Sequence, residues 1–457
     1  MAERSEVAEE QAVRDGSAVY SVEADIATAE DVPPGYKRTE VGVIPGDWQA
    51  LPAREIGAFK GGSGFPLKAQ GDNAGEYPFF KVSDMNIEGN ETFMTTANHY
   101  ISEETRRRLG ATCFPRDSIV FAKVGAAVFL ERKKILGQPS CIDNNMAAFV
   151  LDKNRSDVRY MHSLLLSKKL GNLVSTTALP ALNGKQLGEM VLAVPSLSEQ
   201  RAIATALSDA DALIESLDRL IAKKRAIKHA TMQQLLTGQT RLPGFTGEWE
   251  TKRLAELGTC YRGVSYDPDI DLFGYESEAT IRLLRSDSVQ SGALRMNGSY
   301  FVSEDRVSEK QILRPGDIVI CMANGSRDLV GKAAGFASQD QARYTIGAFM
   351  ARLAVIDSVA DKRFVGFLLQ SAVYRRFIET MLAGSSINNL KPEDIENAEF
   401  KVPSIGEQEA VASVLSDMDT EIEALERRRD KARQIKQGMM QQLLTGRVRL
   451  VTPEVAA

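Results

Sequence analysis

With 457 residues, 43% of them hydrophobic, and a formal net charge of -5, the chain has room for two to four domains with real cores. No run of about 18 apolar residues occurs and the first residues are acidic and polar, which argues against a membrane span or secretory signal and predicts a cytoplasmic protein. Cys113, Cys141, Cys260 and Cys321 lie far apart and the histidines are His99, His162 and His229, so neither a zinc site nor a disulfide framework is expected, and no cofactor.

Residues 1–34 read as a disordered acidic extension. Glu3, Glu6, Glu9, Glu10, Asp15, Glu23, Asp25, Glu30 and Asp31 face only Arg4 and Arg14 there, so the rest of the chain is near +2. A first variable domain follows over 35–194. It holds short β-like runs such as SIVFAKVG (118–125), a helical stretch at about 157–170, and a loop rich in small and basic residues, FKGGSGF (59–65). A 44-residue segment, PSLSEQ to MQQLLTG (195–238), then carries apolar residues at Ile203, Leu207, Ala210, Ile214, Leu217 and Ile221. That 4-3-4-3-4 spacing makes one helical stripe, opened by Ser196 or Ser198 ahead of Glu199 and closed by Gly238.

The second domain, 239–402, has its variable body from about 243, with DIVICMANG (317–325) β-like and about 361–381 helical. Its loops are YRGVSY (261–266), ANGSR (323–327) and SSINN (385–389). A second long segment, PSIGEQ to MQQLLTG (403–446), matches the first at about 25 of 44 positions without a gap, and 447–457 is a tail. Its stripe is Val411, Leu415, Met418, Ile422 and Leu425. Looser matches join KVSDM (81–85) to LRSDS (284–288), FPRDSIVF (114–121) to RPGDIVIC (314–321), and IPGDW (44–48) to LPGFTGEW (242–249).

An internal repeat of this kind decides architecture before any single motif does. About 39 helical residues reach roughly 58 Å, too long to pack on one small domain. Each stripe therefore needs the other, and the chain path allows only an antiparallel coiled coil, with Gly446 ending close to Trp48. The expected fold class is α+β: two mixed α/β domains separated by two long antiparallel helices, with pseudo-two-fold symmetry. Basic runs on the helices (Lys223, Lys224, Arg225, Lys228; Arg427, Arg428, Arg429, Lys431, Arg433, Lys436) are either solvated faces or attract a duplex or an acidic partner.

Glycine-bearing loops let backbone N–H groups approach phosphate, while Lys, Arg, Asn, Ser and Tyr contact phosphates and base edges. On that ground the candidate DNA-binding residues are Lys60, Ser63, Lys68, Lys81, Ser83, Lys123 and Asn183 in the first domain. In the second they are Arg262, Ser265, Tyr266, Arg285, Ser286, Asn324, Ser326, Arg327, Asn388 and Asn389.

Two variable domains alternating with helices that open PS(L/I)xEQ and close MQQLLTG resemble the specificity subunit of type I restriction-modification systems, over nearly the whole chain from about residue 36. The resemblance implies a non-catalytic subunit that reads a bipartite double-stranded DNA target with an unread spacer. It also implies partners: adenine-N6 methyltransferase (modification) subunits and ATP-dependent restriction subunits; the two equivalent helical surfaces predict two copies of the modification subunit. At 3.4 Å per base pair, the helices as a ruler allow half-site centres at most about 17 base pairs apart. The alternative is a coiled-coil scaffold whose variable domains bind proteins.

Enzyme signatures fail in turn. VPPGY (32–36) lacks the Asn or Asp of a methyltransferase turn, and neither Gly184-Lys185 nor Gly331-Lys332 is followed by the Ser or Thr of a phosphate-binding loop. Glu393, Glu399 and Lys401 are too tightly spaced for a metal nuclease, and the first repeat lacks them.

Overall fold

The computed structural model describes residues 32–174, 180–290, 292–296, 300–338, 340–383 and 388–451. Most of the acidic extension, the last six residues of the tail, and part of the 385–389 loop lie outside them. The chain divides into two compact units: unit 1 takes residues 1–217 with 428–457, and unit 2 takes 218–427. Each long helix, Leu197–Leu235 and Ile405–Leu443, is thus shared between the units. Among the described residues no helix is long and apolar enough to cross a membrane.

In unit 1 the framework strands are β1 (Gly57–Gly61), β2 (Tyr77–Phe80), β3 (Ile119–Ala122), β4 (Lys133–Leu136), β5 (Ser140–Ile142) and β6 (Met146–Leu151). One sheet runs β1-β6-β3-β4 with the short strand Phe93–Met94 added in parallel, and a second places β2 and β5 side by side in parallel. All four residues of β3 are buried, as a central strand covered on both faces requires. The period-two rule divides them: Ile119 and Phe121 join a core with Phe149, Tyr160 and Leu164, while Val120 joins a separate one with Met94, Met146 and Ala148.

Unit 2 repeats the plan. Its strands are β7 (Gly258–Arg262), β8 (Thr280–Leu284), β9 (Ile318–Cys321), β10 (Ala333–Gly335), β11 (Tyr344–Ile346) and β12 (Met350–Val355). The order is β7-β12-β9-β10, with β8 and β11 parallel in a second sheet. Ile318 and Ile320 face one core and Val319 another. The chain enters and leaves each domain through an antiparallel pair, Gln49–Pro52 with Val191–Val194 and Glu250–Arg253 with Glu399–Val402. Glu399 and Lys401 therefore belong to a structural strand, with Glu399 beside Arg253.

Within each unit the two helices run antiparallel. In unit 1, Ile203, Ala204 and Leu207 share a core with Met440, Leu443 and Leu444, and Lys436 pairs with Asp211 at 2.6 Å. In unit 2, Met232, Leu235 and Leu236 meet Val411, Ala412 and Leu415, and the pairs are Lys224–Glu421 (2.6 Å), Lys228–Asp419 (2.5 Å) and Arg225–Glu426. Residue numbers rise on one helix as they fall on the other. The stripe divides into two parts. Ile203, Leu207, Val411 and Leu415 sit in domain cores as well as against the other helix, while Leu217, Ile221 and Ile422 are buried farther along. Ile214, Met418 and Leu425 are half-buried. Lys224, Arg225, Lys228 and Lys436 in the basic runs lace helix to helix. Exposed pairs of this kind contribute little stability but favour this direction of pairing.

The motif PSxxEQ gains a mechanical reading. Gln200 accepts from the Asp157 N–H (2.8 Å) and donates to the carbonyls of Arg155 and Pro195, and Gln408 makes the same three bonds with Asp361, Val359 and Pro403. Each glutamine thus clips the first turn of a long helix to the loop that opens the domain's own helix. Glu199 is 1% exposed and accepts from Trp48 Nε1 (2.9 Å) and from Arg449 Nε (2.6 Å) and Nη2 (2.8 Å). Gly446 adopts φ +70° with Pro45 and Trp48 so close that a Cβ would stand 2.4 Å from the proline ring. The end of the second helix therefore closes on the start of the first domain, as the repeat predicts.

His162, on the helix Val158–Leu166, is 7% exposed, and its Nε2 donates to the Lys133 carbonyl at 2.8 Å. Burial, helped by nearby lysines, pulls its pKa down to about 4 from 6.5. Unfolded chains take up this proton as pH falls through 6.5 and the folded chain does not, so stability present above 6.5 is lost progressively toward pH 4. The loss amounts to about 3 kcal/mol. His162→Gln is expected to flatten the pH dependence of unit 1 unfolding between pH 6.5 and 4. An unchanged slope would contradict the assignment.

Candidate nucleic-acid interface

Four segments gather around one tight turn in unit 1, making a cluster of five. The turn is 143–146, closed by the Met146 N–H donating to the Asp143 carbonyl (3.0 Å), while the Asp143 carboxylate accepts from the Asn145 N–H (3.1 Å). Burial holds the Asp143 carboxyl above the ordinary carboxylate range. The glycine loop docks on it: Gly62 N–H donates to Met146 O (3.0 Å) and Ser63 N–H to Ile142 O (2.9 Å). Only glycine fits there, because a Cβ on Gly62 would lie 2.0 Å from the Asp143 carbonyl oxygen. The Lys81 segment joins through Asp143 N–H to Phe80 O (2.9 Å), and the loop after β3 through Lys123 N–H to Asn145 O (2.8 Å). A fifth segment, 180–183, is tied on by Leu182 N–H to Lys123 O (2.8 Å).

Unit 2 builds the same cluster around the turn 347–350. Gly263 N–H donates to Met350 O (2.9 Å), Val264 N–H to Ile346 O (2.7 Å), Gly347 N–H to Leu284 O (3.1 Å) and Met322 N–H to Phe349 O (2.8 Å). A Cβ on Gly263 would lie 2.2 Å from the Gly347 carbonyl oxygen. The fifth segment joins by the bridge Ala323–Asn389, matching Val124–Ala181 in unit 1.

These ladders gather the residues marked in the sequence. In unit 1, Lys60 and Ser63 lie on the glycine loop, Lys81 and Ser83 on the second segment, Lys123 on the third and Asn183 on the fifth. Lys60, Lys68 and Ser83 are exposed, and Gln70 links Lys68's 3-10 turn, Leu67–Ala69, to Lys81 Nζ (3.2 Å). Lys123 Nζ covers Gly61, where an added Cβ would stand 2.6 Å away. In unit 2, Arg262, Ser265 and Tyr266 share the glycine loop, and Arg285 lies over the Tyr300 ring (4.9 Å) with Ser286 next to it. Asn324, Ser326 and Arg327 follow β9, where the segment 323–325 meets Asn388 and Asn389, with Asn324 N–H donating to Asn388 O (3.4 Å) and Asn388 Nδ2 to Gly325 O (3.4 Å).

Some of these residues also have structural duties. Asn183 caps the helix Gly184–Glu189 through Lys185 N–H (2.8 Å), Ser63 Oγ accepts from Thr112 N–H (3.0 Å), Asn324 Oδ1 accepts from Ser326 N–H (3.0 Å), and Tyr266 packs partly into a core.

Two of the loose repeat matches need a one-residue shift. Phe80 and Leu284 make the same bond to their turns, so Lys81 answers to Arg285 rather than Leu284. Their N–H groups are capped alike, by Asp84 Oδ2 (2.7 Å) and Ser288 Oγ (3.3 Å). Likewise Asp117 answers to Gly316 rather than Asp317. Both hold positive φ, 72° and 90°, and both donate to the end of the next hairpin strand, at Leu136 and Phe336. Backbone demand is what repeats here, and the matching Asp letters mislead.

The central turns themselves went unmarked in the sequence: Asn144 and Asn145 in unit 1, Ala348 and Phe349 in unit 2. The parallel IDNNM (142–146) and IGAFM (346–350) is the signal that finds them. Arg449 lies in the segment that reads as tail, yet the helical repeat continues past Gly238 and Gly446 as QTRL and RVRL, aligning Arg241 with Arg449.

The duplication of the chain has a counterpart among known proteins. The family described as type I restriction modification DNA specificity domain matches residues 45–223 and again 247–434. The chain belongs to this family. The specificity subunit of the type I restriction enzyme StySPI of Salmonella potsdam is 28% identical over 200 residues, 44% of this chain and 42% of that one, so the match spans less than half of that relative. The type I specificity subunit MjaIX of Methanocaldococcus jannaschii is 24% identical over 400 residues, 80% of this chain and 86% of its own.

The fold is shared with solved chains. The S subunit of the type I restriction-modification system of M. genitalium gives a TM-score of 0.54 at 13% identity, covering 87% of this chain and 96% of that one. A chain from a structural study of complex assembly and conformational transition of the type I R-M system gives 0.53 at 15% identity, covering 89% and 99%. Two copies of a DNA specificity domain, one per unit, are consistent with a non-catalytic role for the chain.

Proposed function

We propose that this chain is the DNA-reading subunit of a type I restriction-modification complex. Each unit reads one half of a bipartite target through its five-segment loop cluster, and the duplicated helices hold the two readings in register across an unread spacer. One observation carries this reading: the same backbone cluster is built twice, inside two copies of a DNA specificity domain, and each copy displays a different set of basic, amide and hydroxyl side chains. A constant scaffold with variable side chains suits a reader whose halves recognise different bases, because phosphate contacts position a protein while base-edge contacts specify. The partners are two modification subunits, which carry adenine-N6 methyltransferase chemistry, and ATP-dependent restriction subunits, acting with this chain in the cytoplasm.

The test is duplex binding by the complex of this chain with modification subunits. Contacts to about 6–10 phosphates would reduce affinity by about 10³-fold or more between 50 and 200 mM salt. Binding that is insensitive to salt, or equal for all duplex sequences, would favour a protein-binding scaffold instead.

A further inference from the structure

The turn at the centre of each loop cluster carries opposite chemistry in the two units. In unit 1 it presents two exposed amides, Asn144 and Asn145, and Asn145 Nδ2 reaches Asp143 Oδ2 at 3.4 Å. In unit 2 the same backbone position as Asn145 holds Phe349, whose side chain is left out of the core at 67% exposure. Single apolar residues are common at protein surfaces and mean little alone. This one is displayed by a fixed support. The Phe349 carbonyl accepts from Met322 N–H (2.8 Å) and Ala323 N–H (3.1 Å), Met350 N–H closes the turn on Gly347 O (2.9 Å), and Val264 is bridged to Gly347.

The ladder neighbours of this turn bear hydrogen-bonding side chains. Arg262 pairs with Ala351, two residues past Phe349, while Arg285 follows Leu284 and Asn389 bridges Ala323. Arg and Asn read base edges in the major groove, and the apolar feature on that groove floor is the C5-methyl of thymine. Resting on the proposed DNA reading, we infer that Phe349 is a specificity-determining residue that contacts a thymine methyl in the half-site read by unit 2. An amide at the equivalent position of unit 1 reads its half-site by hydrogen bonds instead, so thymine methyls opposite Asn145 serve as an internal control.

The experiment uses the full chain in complex with modification subunits, and duplexes in which each thymine of the unit 2 half-site is replaced singly by deoxyuracil. Wild type is expected to lose about 4-fold in affinity at one position, the ratio that about 0.8 kcal/mol per methyl gives. Phe349→Ala is expected to bind the thymine duplex more weakly by at least that factor and to be indifferent to the replacement, with the unit 1 half-site read as before. Phe349→Leu keeps an apolar tip and should retain part of the discrimination.

A Phe349→Ala complex with unchanged affinity and unchanged deoxyuracil sensitivity overturns the assignment. So does a unit 2 half-site without thymine, or a variant whose only defect is assembly with modification subunits. If the wild-type complex prefers no sequence at all, the DNA reading fails and takes this inference with it.

Discussion

Alanine at Glu199 is expected to cost unit 1 about 3–5 kcal/mol, the penalty for breaking a buried ion pair by removing one partner. Glu199 is 1% exposed and gathers three donors, the Trp48 indole and two nitrogens of Arg449. Without it, the Trp48 N–H is buried with no partner, and Arg449 keeps only its pair of bonds to Asp47 (3.0 and 2.7 Å). Those bonds hold the Asp47 carboxyl below its ordinary range. The link from Arg449 through Glu199 to Trp48 is therefore lost with a single side chain, while the Arg449–Asp47 pair remains. Unit 2 supplies the comparison. Glu407 is also 1% exposed and pairs with Arg241 (2.9 Å), but Trp249 Nε1 has no partner there. Glu407→Ala therefore removes one donor fewer and leaves no indole newly unpaired, so it is expected to cost less than Glu199→Ala. Urea unfolding of Glu199→Ala, followed by Trp48 emission in a Trp249→Phe background, measures the first cost. Glu199→Gln, which keeps an acceptor for Trp48, should recover part of it. A loss below about 1 kcal/mol for Glu199→Ala would show that the closure contributes little.

The helical half of this fold is legible in sequence because its constraints are periodic. A 4-3-4-3-4 stripe, two terminal glycines and a duplicated EQ can be read without coordinates, and they give the antiparallel pairing found in each unit. The order of strands is not legible. Ile119 and Val120 look alike as letters, yet they face different cores because β3 is covered on both sides. For the candidate site, glycine beside basic or amide side chains marked 60–63 and 262–266, and the fold brings both loops onto its central turns. Residue type missed the turns that organise them. Asn145 and Phe349 share a backbone role and no chemistry, so a search for basic and polar loops passes over Phe349 entirely. The one-residue offsets at Lys81 and Asp117 have the same origin, since a capping bond or a left-handed φ fixes the position while the side chain is free to differ.

The second large effect concerns specificity. The body of unit 2 enters and leaves through one antiparallel strand pair, Glu250–Arg253 with Glu399–Val402, so its loop cluster can be exchanged as a block. The helix residues it rests on, Met232, Leu235, Leu236, Val411, Ala412 and Leu415, must be retained. Because the cluster of unit 1 is built from hydrogen bonds among its own residues, nothing in the exchange alters what unit 1 presents. Replacing 243–402 by the corresponding body of a relative should therefore change one half-site completely and leave the other as it was.

Sequencing that maps methylated adenines, in DNA from cells making this chain or the hybrid together with its modification subunit, is the most direct test. Two independent readers predict a bipartite methylated sequence for the original chain, and for the hybrid the same first half and spacer with a new second half. Bases that change in both halves, or methylation that follows no bipartite sequence, would contradict the account.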